Sequence, residues 1–329
     1  MKALWQRHRI LVVGVAIILL PICYGSLVAL DIAPLPDIAA GRHVSGYDSA
    51  YAEPVQLANL ENVAINESSG IAASRANDNI MWTHNDSGDG PFIYAIDRQG
   101  KHRGAWRVIG AEARDWEDIA VGPGPDRSRS YIYIGDIGDN GRSRDNIVVY
   151  RIREPAVSTG DPLPSVKARS QTDPADVIRL KYPDGKHDAE ALLINPSTGT
   201  LYVVTKAMRA AARIYKLDAA ASGGGVQALS LVGEVQIPNL MGGLITGGDI
   251  SPDGRRVVLC SYLGASELVL SDRNAPFDDV WKQQPTPVNI GTRKQGEAVC
   301  YRVDGLALLA TSEGVPCPLI EASRRPSSQ

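Results

Sequence analysis

Carboxylates recur at one kind of place in this chain. Five short stretches can be laid over one another: Ser68-Ser69-Gly70-Ile71-Ala72, Trp116-Glu117-Asp118-Ile119-Ala120, Ala189-Glu190-Ala191-Leu192-Leu193, Gly247-Gly248-Asp249-Ile250-Ser251 and Gly296-Glu297-Ala298-Val299-Cys300. Each has small or acidic residues at its start, preceded by Trp116 in the second, and continues into an apolar run. In the second, Ile119 to Gly122 and Tyr131 to Ile134 read as two strands joined by the turn-forming Gly-Pro-Gly-Pro-Asp segment. Paired antiparallel, they bring Glu117, Asp118, Asp136 and Asp139 to one end of a hairpin. Carboxylates gathered in this way repel one another unless a cation joins them. Oxygen-only donors suit a hard ion such as calcium, which takes about six to eight oxygens. Glu117, Asp118, Glu190, Asp249 and Glu297 are the expected metal ligands. The alternative for any single acid is that it caps a turn by accepting backbone N–H bonds.

The elements that must position these acids repeat as well. Each opening is followed by a turn and an apolar strand: Ile80 to Thr83, Tyr131 to Ile134, Leu201 to Thr205, Arg256 to Ser261 and Leu306 to Thr311. The units start roughly 45 to 75 residues apart, the spacing of propeller blades. The expected fold is therefore all-β, a β-propeller of five blades, or six if Glu154 to Ala175 hides another unit. The last unit lacks a fourth strand, so Val55 to Ile65 is expected to pair with Leu319 to Ala322 and close the ring. In this scheme the strand openings define a top face. The long insertions Glu154 to Ala175, Asp218 to Ser230 and Asp272 to Pro285 fall on the bottom.

Other residues are expected at the top face as ligand contacts: Glu67, Asn85, Asp86, Asp136, Lys206 and Glu313. His84 and His187 are candidate acid–base groups, with a structural turn histidine as the alternative for each. Lys206 and Arg114 could neutralise an anionic ligand or simply bridge to the surrounding acids. Asn85-Asp86-Ser87-Gly88-Asp89-Gly90 matches the start of an EF-hand loop, but Ile96 stands where the bidentate Glu should be, so the stretch reads as a glycine-rich turn. The chain has no Gly-x-Ser-x-Gly elbow, His-Glu-x-x-His helix or Walker loop.

With 329 residues, 44% hydrophobic composition and 53 Gly and Pro together (32 and 21), the chain suits one large domain of many short strands. A net charge of −3, without a Lys/Arg stripe, removes the electrostatic case for nucleic acid. Lys2, Arg7 and Arg9 precede an uncharged run from Ile10 to Leu30, about 21 residues and roughly 30 Å as a helix. That run reads as a transmembrane signal-anchor, with a cleaved signal peptide as the alternative. Residues 1–30 are then the anchor, 31–53 a linker and 54–329 the propeller, placed in the periplasm or extracellular space, or secreted if the signal is cleaved. Cys260, Cys300 and Cys317 are read as buried thiols without a disulfide. A monomer is expected, taking a small-molecule or protein ligand at its top face.

Through Trp116-Glu117-Asp118, Asp188-Ala189-Glu190, Gly248-Asp249 and Gly296-Glu297, residues 54 to 322 resemble the calcium-using propellers. That group comprises the β-propeller phytases, the esterase-like phytase propellers and the gluconolactonase–paraoxonase proteins. The resemblance implies a top-face cation site and hydrolysis of phosphoesters, esters or lactones. Those families have six blades where five are counted here. Two functions follow: a tethered propeller that binds a ligand at a calcium-bearing channel, or a calcium-dependent hydrolase.

Overall fold

Strands that alternate apolar and polar residues bury one face, whereas strands buried on both faces read as continuous apolar runs. Ile80–Asn85, Leu201–Thr205 and Arg256–Cys260 are of the second kind, every residue being buried. Val55–Asn59, Asp176–Lys181 and Ser230–Val235 are largely open to solvent. The computed structural model orders these strands from the inside out. It describes residues 50–326 apart from 87, 159–164, 167–168, 209, 219–224 and 239–242. The anchor segment 1–30 and the linker up to residue 49 lie outside the described residues. Within the described part, no helix is long and apolar enough to cross a membrane.

Among the described residues the strands form five sheets. Their innermost strands are Ser68–Ala73, Trp116–Pro123, Ala189–Ile194, Gly247–Ile250 and Val299–Tyr301. Each of these touches the innermost strand of the next sheet, and the fifth touches the first. Five sheets around one axis make a five-bladed propeller. Every blade runs antiparallel through its four main strands. In the fifth blade the outermost strand is Val55–Asn59, with Val55 opposite Glu321 and Asn59 opposite Pro318. That strand ends at Asn59, shorter than the sequence reading, and the chain beyond it crosses to the first blade. There Glu61 donates its N–H to Gly100 O at 2.8 Å and Leu60 and Ile65 are buried.

The long insertions leave the ends of the third strands and run on beyond their own blades. Each laps back over the outer edge of the preceding blade. Ser170–Pro174, from the insertion of the second blade, adds a parallel fifth strand to the first, so this stretch is an edge strand and not a sixth blade. Gln227–Ala228, from the third blade, does the same for the second. Phe277–Lys282, from the fourth, is a short 3₁₀ helix whose Asp278 accepts bonds from Tyr202 and Lys216 of the third. The shared reason is the unpaired row of N–H and C=O groups on an outermost strand, which a lapping segment covers.

Between blades the packing is apolar and tight. Trp116 is 1% exposed and meets His84 edge-on, with ring centroids 5.7 Å apart, in a cluster shared by the first and second blades. A Cβ at Gly70 would lie 2.7 Å from the backbone N of Ile119, so only glycine allows these innermost strands their separation. Cys260, Cys300 and Cys317 are free, buried thiols within these clusters.

Candidate metal centre

The entry to an innermost strand is bulged in three blades. The register of pairing skips one residue at Ser69, Glu117 and Glu190, each of which stands opposite no partner on the second strand. A bulge turns one side chain away from the alternation of its strand. Here it frees the carboxylates of Glu117 and Glu190 from the pleat at the mouth of the channel. Glu297 occupies the same place in the fifth blade, just before Val299–Tyr301 begins.

Asp86, Asp115 and Glu117 form the densest group, with one carboxylate oxygen from each lying within 4.8 Å of the others. Asp86 comes from the turn after the second strand of the first blade, while Asp115 and Glu117 come from the entry of the second blade. The turn of residues 136–144 supports them from beside. Arg144 donates to Asp136 at 2.7 Å and to Gly138 O at 2.9 Å, and Asp139 accepts the N–H groups of Ser143 and Arg144 at 2.9 Å. This holds Gly138 against the acids. A Cβ there would collide with Glu117 Oε1 and lie 2.6 Å from Asp115 Oδ2. A side chain at 138 would push both carboxylates aside.

Electrostatics at this mouth are those of crowded, half-dry carboxylates. Burial first, then Asp86 and Asp188, pushes Asp115 up to about 6. Burial, Glu190, Asp86 and Asp115 raise Glu117 well above the usual range. Burial and the neighbouring Glu313 push Glu297 up to about 9, and Gln295 donates to its Oε1 at 3.2 Å. Glu67 is raised by burial, Asp86 and Asp89. Among the described residues, Lys206 brings a positive charge to these glutamates: it bonds Glu190 and, at 2.8 Å, Tyr262 Oη, while Arg144 lowers Asp115 from the side. Burial nonetheless pushes Glu190 up to about 8, against the lowering by Lys206.

The structure thus sorts the residues singled out in the sequence. Glu67, Asp86, Glu117, Glu190, Lys206, Glu297 and Glu313 feel one another's charge around a single mouth. Asp118 and Asp249 are turned elsewhere. Asp118 accepts the N–H of Ile119 at 2.8 Å and of Leu192, in the next blade, at 2.9 Å. Asp249 accepts Ile250 at 2.8 Å and Tyr301, again in the next blade, at 2.9 Å. Both tie neighbouring blades together: Asp118 lies one residue beyond the bulge at Glu117, and Asp249 holds the equivalent place in a strand that pairs without a bulge.

Asn85 accepts the N–H groups of Asn66 and Glu67, each at 3.1 Å, and anchors the turn instead of facing a ligand. Asp136 is held by Arg144, behind Gly138. Neither histidine reaches the mouth as an acid–base group. His84 is fully buried with Nδ1 2.9 Å from Asn85 O, and desolvation pushes it down to about 4, so it is neutral. His187 sits 3.1 Å from Asp184, between the rings of Tyr182 and Tyr215. Tyr262, Gln295 and Gly138 complete the mouth and had no sequence signal beyond their loop positions.

No protein-family model matches the chain, and no curated protein does. Among solved structures it is similar to the Dos1 propeller, at 12% sequence identity and a TM-score of 0.35, over 78% of this chain and 68% of that one.

Proposed function

We propose that this propeller binds one hard divalent cation, calcium before magnesium, at Asp86, Asp115 and Glu117, and that a small-molecule or protein ligand completes the ion's coordination. The observation that carries the reading is the three-carboxylate group itself, pressed against Gly138. Carboxylates at this separation match the open, oxygen-rich sphere of calcium better than the tight octahedron of magnesium. Binding at the rim is favoured by the apolar side chains around the mouth. Met208, Leu263 and Val315, from the turns after the second strands of three consecutive blades, are 66%, 84% and 57% exposed. Side chains of this kind gathered on one face suit a partner surface. Titrating metal-stripped full-length chain with calcium is expected to give one saturable site, and a flat titration rejects the proposal.

A hydrolase of phosphate esters, esters or lactones is the second reading, and Glu297 favours it. A carboxyl group that keeps its proton to about pH 9 beside cation ligands is suited to protonate a leaving group. Calcium-dependent turnover in a phosphatase, esterase and lactonase panel would establish this reading, and inactivity with calcium bound would leave the binding module.

Residues 10–30 serve as the tether in this proposal, holding the propeller outside the cytoplasm. Full-length chain is expected in the membrane fraction and a chain starting at Ser45 in the soluble fraction. Recovery of full-length protein in the soluble fraction, its amino terminus removed after the apolar run, would establish secretion instead.

A further inference from the structure

A second cavity, of about 440 Å³, opens at the other end of the innermost strands, and its chemistry is the reverse of the mouth. Glu117 and Pro123 lie six residues apart on the strand Trp116–Pro123, so about 20 Å separates the two sites. Arg75 from the first blade and Arg127, Arg129 and Arg153 from the second line this cavity, with Glu154 as the one acid among the lining residues.

Glu154 does not neutralise them. Its oxygens accept the hydroxyls of Ser74 and Ser130, the Trp82 indole N–H at 2.8 Å and the Arg75 backbone N–H at 3.3 Å, so no guanidinium holds it. Arg129 has Asp126 at 3.2 Å in an exposed pair, a weak partner. Arg127 donates to two carbonyls of the third blade, Ser197 O at 3.1 Å and Thr198 O at 2.9 Å, which fix its guanidinium without cancelling its charge. Among the described residues, Arg75, Arg127 and Arg153 form no ion pair. Arg75 feels Glu154 and Asp249 only at longer range.

We propose that this cavity is an anion site for a phosphoryl group, carried by a soluble phosphate ester or by a lipid headgroup. Four arginines lining one space with a single acid, itself held by hydroxyl and N–H donors, suit the multiply charged oxygens of phosphate better than a single carboxylate, which one guanidinium fork satisfies. The cavity is also large enough for a group beyond the phosphoryl itself. Proximity of lipid rests on the tether reading above; the anion site does not.

The test uses the full-length chain in nanodiscs of phosphatidylcholine, titrated with inorganic pyrophosphate at constant ionic strength. Saturable binding is expected, weakened about tenfold or more by Arg127→Gln with Arg153→Gln, since each exchange removes charge-assisted bonds. The calcium response of this variant should be unchanged, which separates a failure here from a failure of the metal site. Absence of binding by wild type, or equal binding by the variant, overturns the proposal. Hydrogen exchange of residues 123–130 then identifies the source. Protection that rises when phosphatidylglycerol is added, in wild type but not in the variant, assigns a lipid headgroup. Protection by pyrophosphate alone assigns a soluble phosphate ester.

Discussion

At a hundredfold excess over its dissociation constant, calcium is expected to raise the melting temperature of the chain at pH 8 by about 5–10 °C, and that shift should vanish in Asp115→Asn with Glu117→Gln. The magnitude follows from linkage: binding to the folded state alone contributes about 2.7 kcal/mol at that excess, and each kcal/mol moves the transition of a domain this large by about 2–4 °C. The same variant should melt higher than wild type when no metal is present. Asp115, Glu190 and Glu297 titrate at about 6, 8 and 9 in the folded chain, above the range of an unfolded carboxyl. From about pH 4 upwards the folded chain therefore holds more protons than the unfolded one. Stability contributed by these groups is complete below about pH 4 and falls until about pH 9. Removing two of the crowded acids should flatten that fall. Calcium reverses the sign at its own ligands, because a proton lost from Asp115 or Glu117 leaves a better ligand, so its affinity should rise with pH through about 6 and above.

The partner variant Glu190→Gln with Glu297→Gln should keep most of the calcium shift. Lys206 already occupies the first glutamate, which burial raises to about 8, and the second retains its proton beside Glu313. A wild type that ignores calcium would sink the metal reading. An Asp115→Asn, Glu117→Gln chain that still responds fully would move the ligands elsewhere on the mouth. Asp118→Ala, by contrast, should lower the melting temperature with or without metal, because it leaves the N–H of Leu192 unpaired between blades.

Much of the architecture was legible because a propeller writes its repeat into the openings of its innermost strands. These must be small, apolar beyond the first residues, and followed at once by a turn and a second buried strand. Gly70 shows why: its neighbour's backbone is too close for any side chain. The aim of the individual acids was not legible. Glu117 and Asp118 are adjacent and equally acidic, yet one faces the mouth and the other the wall. The difference is a bulge set by how the second strand pairs, a property of two segments together and of neither alone. His84 likewise ends a strand where a turn residue was a fair expectation, but the facing blade covers it with Trp116 and removes its charge. The edges that the insertions lap over were not legible for a related reason. Which edge they cover depends on the twist of the blades around the axis, and the loop order carries no record of that twist.

A chain lacking residues 54–65 is expected to lose its cooperative unfolding transition. In the fifth blade, Val55–Asn59 supplies the pairing for Pro318–Ser323, so deletion leaves that strand's N–H and C=O groups unpaired at an open edge. The segment then carries side chains into the core between the fifth and first blades. Leu60, 6% exposed, and Ile65, 1% exposed, share a cluster with Ile71, Met81, Leu309 and Leu319. Polar ties accompany them: Leu60 donates to Cys317 O at 2.8 Å, Glu61 accepts His102 N–H at 3.0 Å, and Asn62 lies 3.3 Å from His102 Nδ1. Loss of two buried aliphatic side chains alone costs about 2–5 kcal/mol each, and a whole domain is stable by only about 5–15 kcal/mol. Leu60→Ala with Ile65→Ala therefore provides a graded companion, expected to melt well below wild type while keeping the ladder at Val55–Asn59. Circular dichroism through a thermal ramp reads both. A deleted chain that melts as sharply as wild type, within a few degrees of it, would mean that the fifth and first blades hold together without this segment, and that the ring's stability lies in contacts of the innermost strands alone.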